Sequence, residues 1–212
     1  MLLIIKNTEA VTPQSSGVRD ILIAAEKIAH IEDHIELPLS LAETIDGTGL
    51  IAVPGFIDGH VHITGGGGEG GFHTRTPELL VSDAVRGGIT TIVGCLGTDG
   101  TTRSLAGLLA KARGLEAEGI STFICSGSYG VPLQTITGSI EKDLILIDKV
   151  IGVGEIALSD HRSSQPSIDE ISRIAAEARR GGMLAGKSGV VNVHLGDGPR
   201  GASISRKNHR GN

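Results

Sequence analysis

The chain has 212 residues, 39% of them hydrophobic, and a formal net charge of −5. This length supports one sizeable core or two small ones, and the ordinary apolar content excludes disorder over most of the chain. With an aromatic content of 2%, a single tyrosine and no tryptophan, it has no base-stacking platform, and its mild negative charge argues against a nucleic-acid backbone as partner.

Residues 1–50 read as short strands broken by turns: Leu2–Ile5, Asp20–Ala24, Lys27–Ile31 and Thr44–Gly47. A β unit of this size buries little alone and needs something to pack on. From residue 51 the rhythm becomes strand then helix, with apolar runs at 51–57, 90–96, 120–125, 150–158 and 190–195. Thr76 as N-cap with Pro77 behind it predicts a first helix that ends at Gly87-Gly88. A second is expected from about Arg103 to Glu118, stopped by Gly119, and a third from near Ser139 through Asp148. For the fourth, Ser167 and Glu170 form a capping box, and Ile168, Ile171, Ile174, Ala175 and Ala178 mark one buried stripe.

Strands alternating with helices indicate parallel β/α units. An open sheet and a barrel both fit that alternation. Polar candidates follow the C-terminal ends of different strands, and a barrel gathers those ends around one mouth. A complete barrel needs about 250 residues, so about five of its eight units fit here. The expected fold is therefore α/β: an incomplete (β/α)8 TIM-type barrel over residues 51–197, with a small N-terminal β-sandwich portion over residues 1–50. Residues 198–212 are polar and basic without a hydrophobic period and read as a disordered tail, or alternatively as an anion-binding one. No apolar run reaches the roughly 18 residues of a membrane span, and no basic leader precedes a hydrophobic region. A cytoplasmic enzyme without membrane or nucleic-acid partners is the expectation. Cys95 and Cys125 are too few for a disulfide scaffold and lie in apolar runs, as small buried fillers do.

The chemistry begins at Pro54-Gly55-Phe56-Ile57-Asp58-Gly59-His60-Val61-His62. Side chains alternate faces along a strand, so His60 and His62 point the same way and can hold one metal ion. His194 follows Val190-Val191-Asn192-Val193 at another strand end. Glu155 interrupts the apolar run 150–158, where an ionised carboxylate is costly unless paired or bound to metal; its two oxygens could bridge two ions, or it could sit in a buried salt bridge. Arg162 could clamp a substrate carboxylate in the bidentate manner arginine favours, or be neutralised by Asp160 as a structural pair. His161 reads as a packing residue or a neighbour of the ligands. Tyr129 either donates its hydroxyl to an oxygen that becomes negative during carbonyl attack, or packs. Glu69, within the glycine run 65–71, could receive an ammonium group or merely solvate the loop, and Gly67, Gly68 and Thr98 would add backbone hydrogen bonds.

The first-strand motif resembles that of the amidohydrolase superfamily. The glycine run followed by Thr74-Arg75-Thr76-Pro77-Glu78, the stretch Gly94–Asp99, Thr137–Asp143 and Ser159-Asp160-His161-Arg162-Ser163 resemble isoaspartyl (β-aspartyl) dipeptidases over about residues 1–197. That resemblance implies a barrel holding two zinc ions, with His60 and His62 on one, His194 on the other and Glu155 where the family usually has a carbamylated lysine. It implies cleavage of the β-aspartyl amide bond of small dipeptides by a metal-bridging hydroxide. In that role Glu69 binds the α-amino group, Arg162 a carboxylate, Tyr129 the scissile carbonyl, and Gly67, Gly68 and Thr98 line the pocket. A homo-oligomer is implied for the full-length family form. The family's histidine after the sixth strand and aspartate after the eighth have no counterpart to assign, so weak or absent activity is expected of this chain. The competing readings are a non-catalytic or partner-binding remnant, and a related enzyme acting on cyclic amides or N-acyl amino acids.

Overall fold

The computed structural model describes residues 2–13, 16–38 and 40–198; the expected tail from 199 onward lies outside them. Two compact units divide after Gly55.

In the first unit, β1 (Leu2–Val11) pairs antiparallel with β2 (Ser16–Ala24), which pairs antiparallel with β3 (Lys27–Glu32). Strands β4 (Glu43–Asp46) and β5 (Ile51–Ala52) both run parallel to β1. Ala25 and Glu26 join β2 to β3 with φ of 48° and 63°, the positive-φ pair whose twist suits a two-residue hairpin. Ile4, Ala10 and Ile21 are buried, while β3 is exposed along its whole length. Asp20 is buried and accepts from Lys6 Nζ (3.0 Å) and from the backbone N–H groups of Asn7 and Ile35 (2.9 Å each). Burial alone would raise its pKa, but these donors outweigh burial and leave it below the ordinary carboxylate value. A depressed folded-state pKa stabilises above the unfolded value, near 4, and that contribution disappears as pH falls through the folded one. Asp20→Asn should therefore cost about 1–3 kcal/mol at pH 7, and the difference from the parent in urea melts should shrink on acidification; a constant difference down to pH 2 would contradict this.

The second unit is a parallel sheet in the order β10-β9-β8-β7-β6: β6 (Phe56–Val61), β7 (Ile89–Gly94), β8 (Ser121–Ser126), β9 (Val150–Leu158) and β10 (Val190–Leu195). Four helices connect them: α1 (Val81–Arg86), α2 (Leu105–Ala117), α3 (Ile140–Leu146) and α4 (Ile168–Ala185). Strand order never reverses, as it must in a doubly wound open sheet, so the winding is that of a barrel opened after five units. The core lies between sheet and helices, with Ile92, Leu96, Leu108, Leu115, Ile124, Leu144 and Val153 fully buried. The two edges are apolar and open: Ile57 on β6 is 72% exposed and Val190 on β10 is 56% exposed.

Four local expectations differ from the structure. The run 51–57 divides at Pro54, because Ile51–Ala52 pairs with β1 and the barrel strand starts at Phe56. Thr76 caps no helix. Its hydroxyl instead accepts from the Gly66 N–H at 2.7 Å and ties down the glycine loop, so α1 starts only at Val81, with the Asp83 carboxylate on the Leu80 N–H. Helix α3 stops at Leu146, where Ile147 turns extended into β9. The capping box of Ser167 and Glu170 opens α4 as expected, and Gly186 at φ 64° closes it. Its buried stripe runs through Ile171, Ile174, Ala178 and Gly181-Gly182, which leaves Ala175 exposed.

Candidate metal centre and substrate pocket

His60 lies near the end of β6 and His62 just beyond it, their rings 5.2 Å apart and edge to face. His62 is wedged between glycines: a Cβ on Gly97 would lie 2.9 Å from its Cε1 and one on Gly66 would lie 3.2 Å from its Cδ2. Its Nδ1 meets the Cys95 carbonyl at 3.2 Å. A carbonyl only accepts, so the neutral ring carries its proton on Nδ1 and turns the Nε2 lone pair inward. His60 Nδ1 meets the Asn192 side-chain amide at 2.9 Å, which fixes that ring too.

Glu155 reaches this pair because β9 bulges. Val191 pairs with Val153 but Val193 with Ile156, so two residues of β9 oppose one of β10. Gly154 makes the bulge possible at φ 124°, with its Cα so close to β10 that a Cβ would stand 2.4 Å from the Asn192 carbonyl oxygen. A bulge re-aims the neighbouring side chain, here into the mouth of the curled sheet. Glu155 is 4% exposed. Its Oε1 lies 2.8 Å from His194 Nδ1, and its Oε2 lies 3.2 Å from His60 Nε2 and 3.7 Å from His62 Nε2. Neither latter contact is directed along a ring N–H, and Oε2 is left buried without a hydrogen-bond partner. A buried carboxylate oxygen facing an imidazole lone pair is costly, by several kcal/mol when nothing intervenes. A divalent cation removes that conflict, and a nitrogen-and-carboxylate donor set suits one. His60, His62 and Glu155 bring ligand atoms within 4.8 Å of one another. His194 meets carboxylates at both nitrogens, Glu155 at 2.8 Å and Asp160 at 3.2 Å; a neutral ring donates from only one of them.

A cavity of about 190 Å³ opens beside this cluster, lined by His62, Gly67, Glu69, Thr98, Tyr129, Glu155, Arg162 and His194 among others. Gly68 instead faces the adjoining cleft with Phe72 and Arg75. The Thr98 hydroxyl donates to Glu69 Oε1 at 2.9 Å, and Arg162 Nη1 reaches the same oxygen at 3.4 Å. The residue's own backbone N–H first, then Thr98, hold the Glu69 carboxyl below its usual pKa. Tyr129 is nearly buried, its ring 5.0 Å from that of His194 and 5.2 Å from the Arg162 guanidinium. Burial pushes its phenol up to about 12, so the hydroxyl keeps its proton and remains a donor. Bonds from Arg162 hold the Asp160 carboxyl well below the ordinary range. His161 points outward, with Nδ1 3.6 Å from Asp160. Cys95 and Cys125 are buried, as small fillers are.

The side-on edge of Arg162 is not free. Asp160 accepts from Nε and Nη2 at 2.9 Å each, so of the two roles read for Arg162 the structural pair is present, and only the end of the fork points toward Glu69. Two further residues escaped the sequence reading. Asn192 stands two positions before His194 on one strand, and the alternation that singles out His60 with His62 points to it equally. Arg103, in contrast, sits in an unremarkable polar stretch. It is nearly buried and donates to the carbonyls of Thr64 (3.2 Å) and Gly66 (2.9 Å), which holds the glycine loop over the site.

The profile of the amidohydrolase family matches residues 51–197. Among solved structures, the β-aspartyl dipeptidase of Fervidobacterium islandicum AW-1, in complex with β-Asp-Leu dipeptide, is 56% identical with a TM-score of 0.92, covering 98% of this chain and 55% of that one. The dihydropyrimidinase of Brevibacillus agri NCHU1002 shares the fold at 23% identity and a TM-score of 0.61, over 93% of this chain and 41% of its own. Among curated proteins, the dihydroorotase of Solibacter usitatus is 31% identical over 166 residues, 76% of this chain and 35% of its own length. The chain thus spans about half the length of the dipeptidase and about a third of the dihydroorotase.

Proposed function

We propose that this chain, which belongs to the amidohydrolase family, carries the first half of a metal-dependent β-aspartyl dipeptidase site. The observation that carries this reading is Glu155: one buried oxygen turned to His60 and His62, the other to His194, with no hydrogen bond to Oε2. In this reading His60, His62 and Glu155 would hold one divalent cation and His194 with Glu155 a second, and zinc would suit both donor sets. When bound, such ions polarise a carbonyl and lower the pKa of water.

The rest of the chemistry belongs to this chain's own side chains. Glu69 receives the substrate's ammonium group, and the free end of the Arg162 fork a carboxylate. The two are 3.4 Å apart before substrate enters, so a small zwitterion separates an ion pair already present. Gly67 and Thr98 line the same pocket, with Gly68 just beyond it, and the Tyr129 hydroxyl donates to the carbonyl oxygen as negative charge develops there. The cavity of about 190 Å³ beside these groups leaves room for a small molecule. The runner-up, a cyclic amide or N-acyl amino acid, carries no ammonium group and so leaves Glu69 without a use.

Turnover by this chain should be slow. Among the described residues, the carboxylates at the cavity are each held already: Glu69 by Thr98, Asp99 by Arg75 and Thr102, and Glu155 by the histidines. None is left to carry a proton to the leaving amine, a task worth about 10²–10⁴-fold in rate. With zinc added, calorimetry should register binding of β-Asp-Leu in preference to hydantoin-type cyclic amides, with hydrolysis slower by about that factor than in the longer dipeptidase. Equal binding of hydantoin and β-Asp-Leu would overturn the substrate assignment, and fast turnover would overturn the account of the missing acid.

A further inference from the structure

Asp160 does more than neutralise a charge. Its Oδ1 accepts from the backbone N–H of Arg162 (2.8 Å) and from Nε (2.9 Å), while Oδ2 accepts from Nη2 (2.9 Å) and lies 3.2 Å from His194 Nε2. One buried carboxylate therefore touches both the arginine that faces the pocket and a histidine of the metal cluster. It is itself locked in place. Ser159 turns the chain at φ 52° as β9 ends, and Gln165 donates to the Asp160 carbonyl at 2.8 Å. From the other side the chain after β10 presses in, where a Cβ on Gly196 would fall 2.5 Å from the Asp160 Cβ.

An arginine fork has two edges that can hold a carboxylate: the side edge of Nε with one terminal nitrogen, and the end edge of both terminal nitrogens. With the side edge taken, Arg162 can rotate neither about its long axis nor away from the Tyr129 ring, 5.2 Å from its guanidinium carbon. Only the end edge is presented, with Nη1 toward Glu69. We propose that Asp160 is a positioning residue, which fixes Arg162 end-on so that only a carboxylate arriving at a set distance from Glu69 is accepted. It selects through geometry rather than charge, and it links the seating of His194 to that of the substrate clamp. The proposal rests on Arg162 being the carboxylate clamp of the function proposed above.

The test compares the parent chain with Asp160→Asn, which keeps the shape but cannot accept from both Nε and Nη2. Phenylglyoxal labelling followed by peptide mass spectrometry reads the arginine directly. Arg162 should react at least about tenfold faster in the variant, while Arg103 and Arg19 keep their rates. Tyr129 is the sole tyrosine in a chain without tryptophan, so intrinsic fluorescence should shift as the guanidinium leaves its ring. In zinc-loaded protein, β-Asp-Leu should bind at least about tenfold more weakly, and Asp160→Asn combined with Arg162→Met should be no worse than Arg162→Met alone. An unchanged Arg162 labelling rate, or additive losses in the double variant, would overturn the proposal. Should the parent chain not bind the dipeptide at all, the dipeptidase reading fails, and the labelling rate still decides whether Asp160 orients Arg162. If Asp160→Asn does not fold, Asp160→Glu, which displaces the carboxylate by one methylene, carries the same labelling test with the same expected direction.

Discussion

Replacing Glu155 with glutamine should reverse the sign of its effect on stability when zinc is added. In the metal-free chain the carboxylate is 4% exposed, with Oε2 unpaired and facing the His62 lone pair. A glutamine amide can donate across that gap, so Glu155→Gln should be neutral or stabilising by about 1 kcal/mol without metal. With zinc the order inverts. Removing the anionic donor between the histidines should lower affinity at least about a hundredfold, beyond the 10–100-fold typical of losing a partner behind a ligand. Zinc at a thousand times its dissociation constant stabilises the parent by about 4 kcal/mol, and the variant forfeits most of that. Thermal melts of both proteins with and without zinc decide the matter. A variant less stable than the parent by the same amount in both conditions would mean that Glu155 is an ordinary structural carboxylate.

Asp143→Ala should be the most destabilising single change away from the cluster. Its fully buried carboxylate accepts from Ser126 Oγ (2.5 Å), the Ile136 N–H (2.9 Å), the Thr137 N–H (2.8 Å) and Thr137 Oγ1 (2.6 Å). These donors bracket the loop that carries Tyr129 between β8 and α3. Alanine leaves several of them without a partner, and breaking a buried charged network of this kind costs about 3–5 kcal/mol. In a unit of this size that corresponds to a fall in Tm of roughly 6–20 °C. Tyr129 fluorescence should lose its native signal before the rest of the unit melts. A loss below about 1 kcal/mol in urea denaturation would show that the loop is held elsewhere.

How much of this was legible in the chain depends on the range of the interaction concerned. Period-two alternation placed His60 and His62 on one face without knowledge of any partner, and the cost of a lone carboxylate in an apolar run singled out Glu155. The strand-and-helix rhythm gave the parallel β/α units, the polar residues at the strand ends pointed to the barrel, and the Ser167–Glu170 box opened α4 because capping is settled within four residues. What failed was decided by distant partners. Thr76 has the chemistry of an N-cap, but Gly66, ten residues earlier, claims its hydroxyl. Ile51–Ala52 looks continuous with the next strand until β1 captures it. The bulge at Gly154 sets its Cα against the carbonyl of Asn192 on another strand, and the hold of Asp160 on His194 spans 34 residues. Neither leaves a local mark, although Asn192 itself sits in the same alternation as His194.

Anomalous diffraction at the zinc edge, from crystals of this chain grown with zinc, tests the convergence of β6, β9 and β10 on paired cations most directly. Two peaks flanking the Glu155 carboxylate are expected, one against His60 and His62 and the other against His194. Zinc scattered over surface histidines, with no density between Glu155 and the β6 pair, would contradict it.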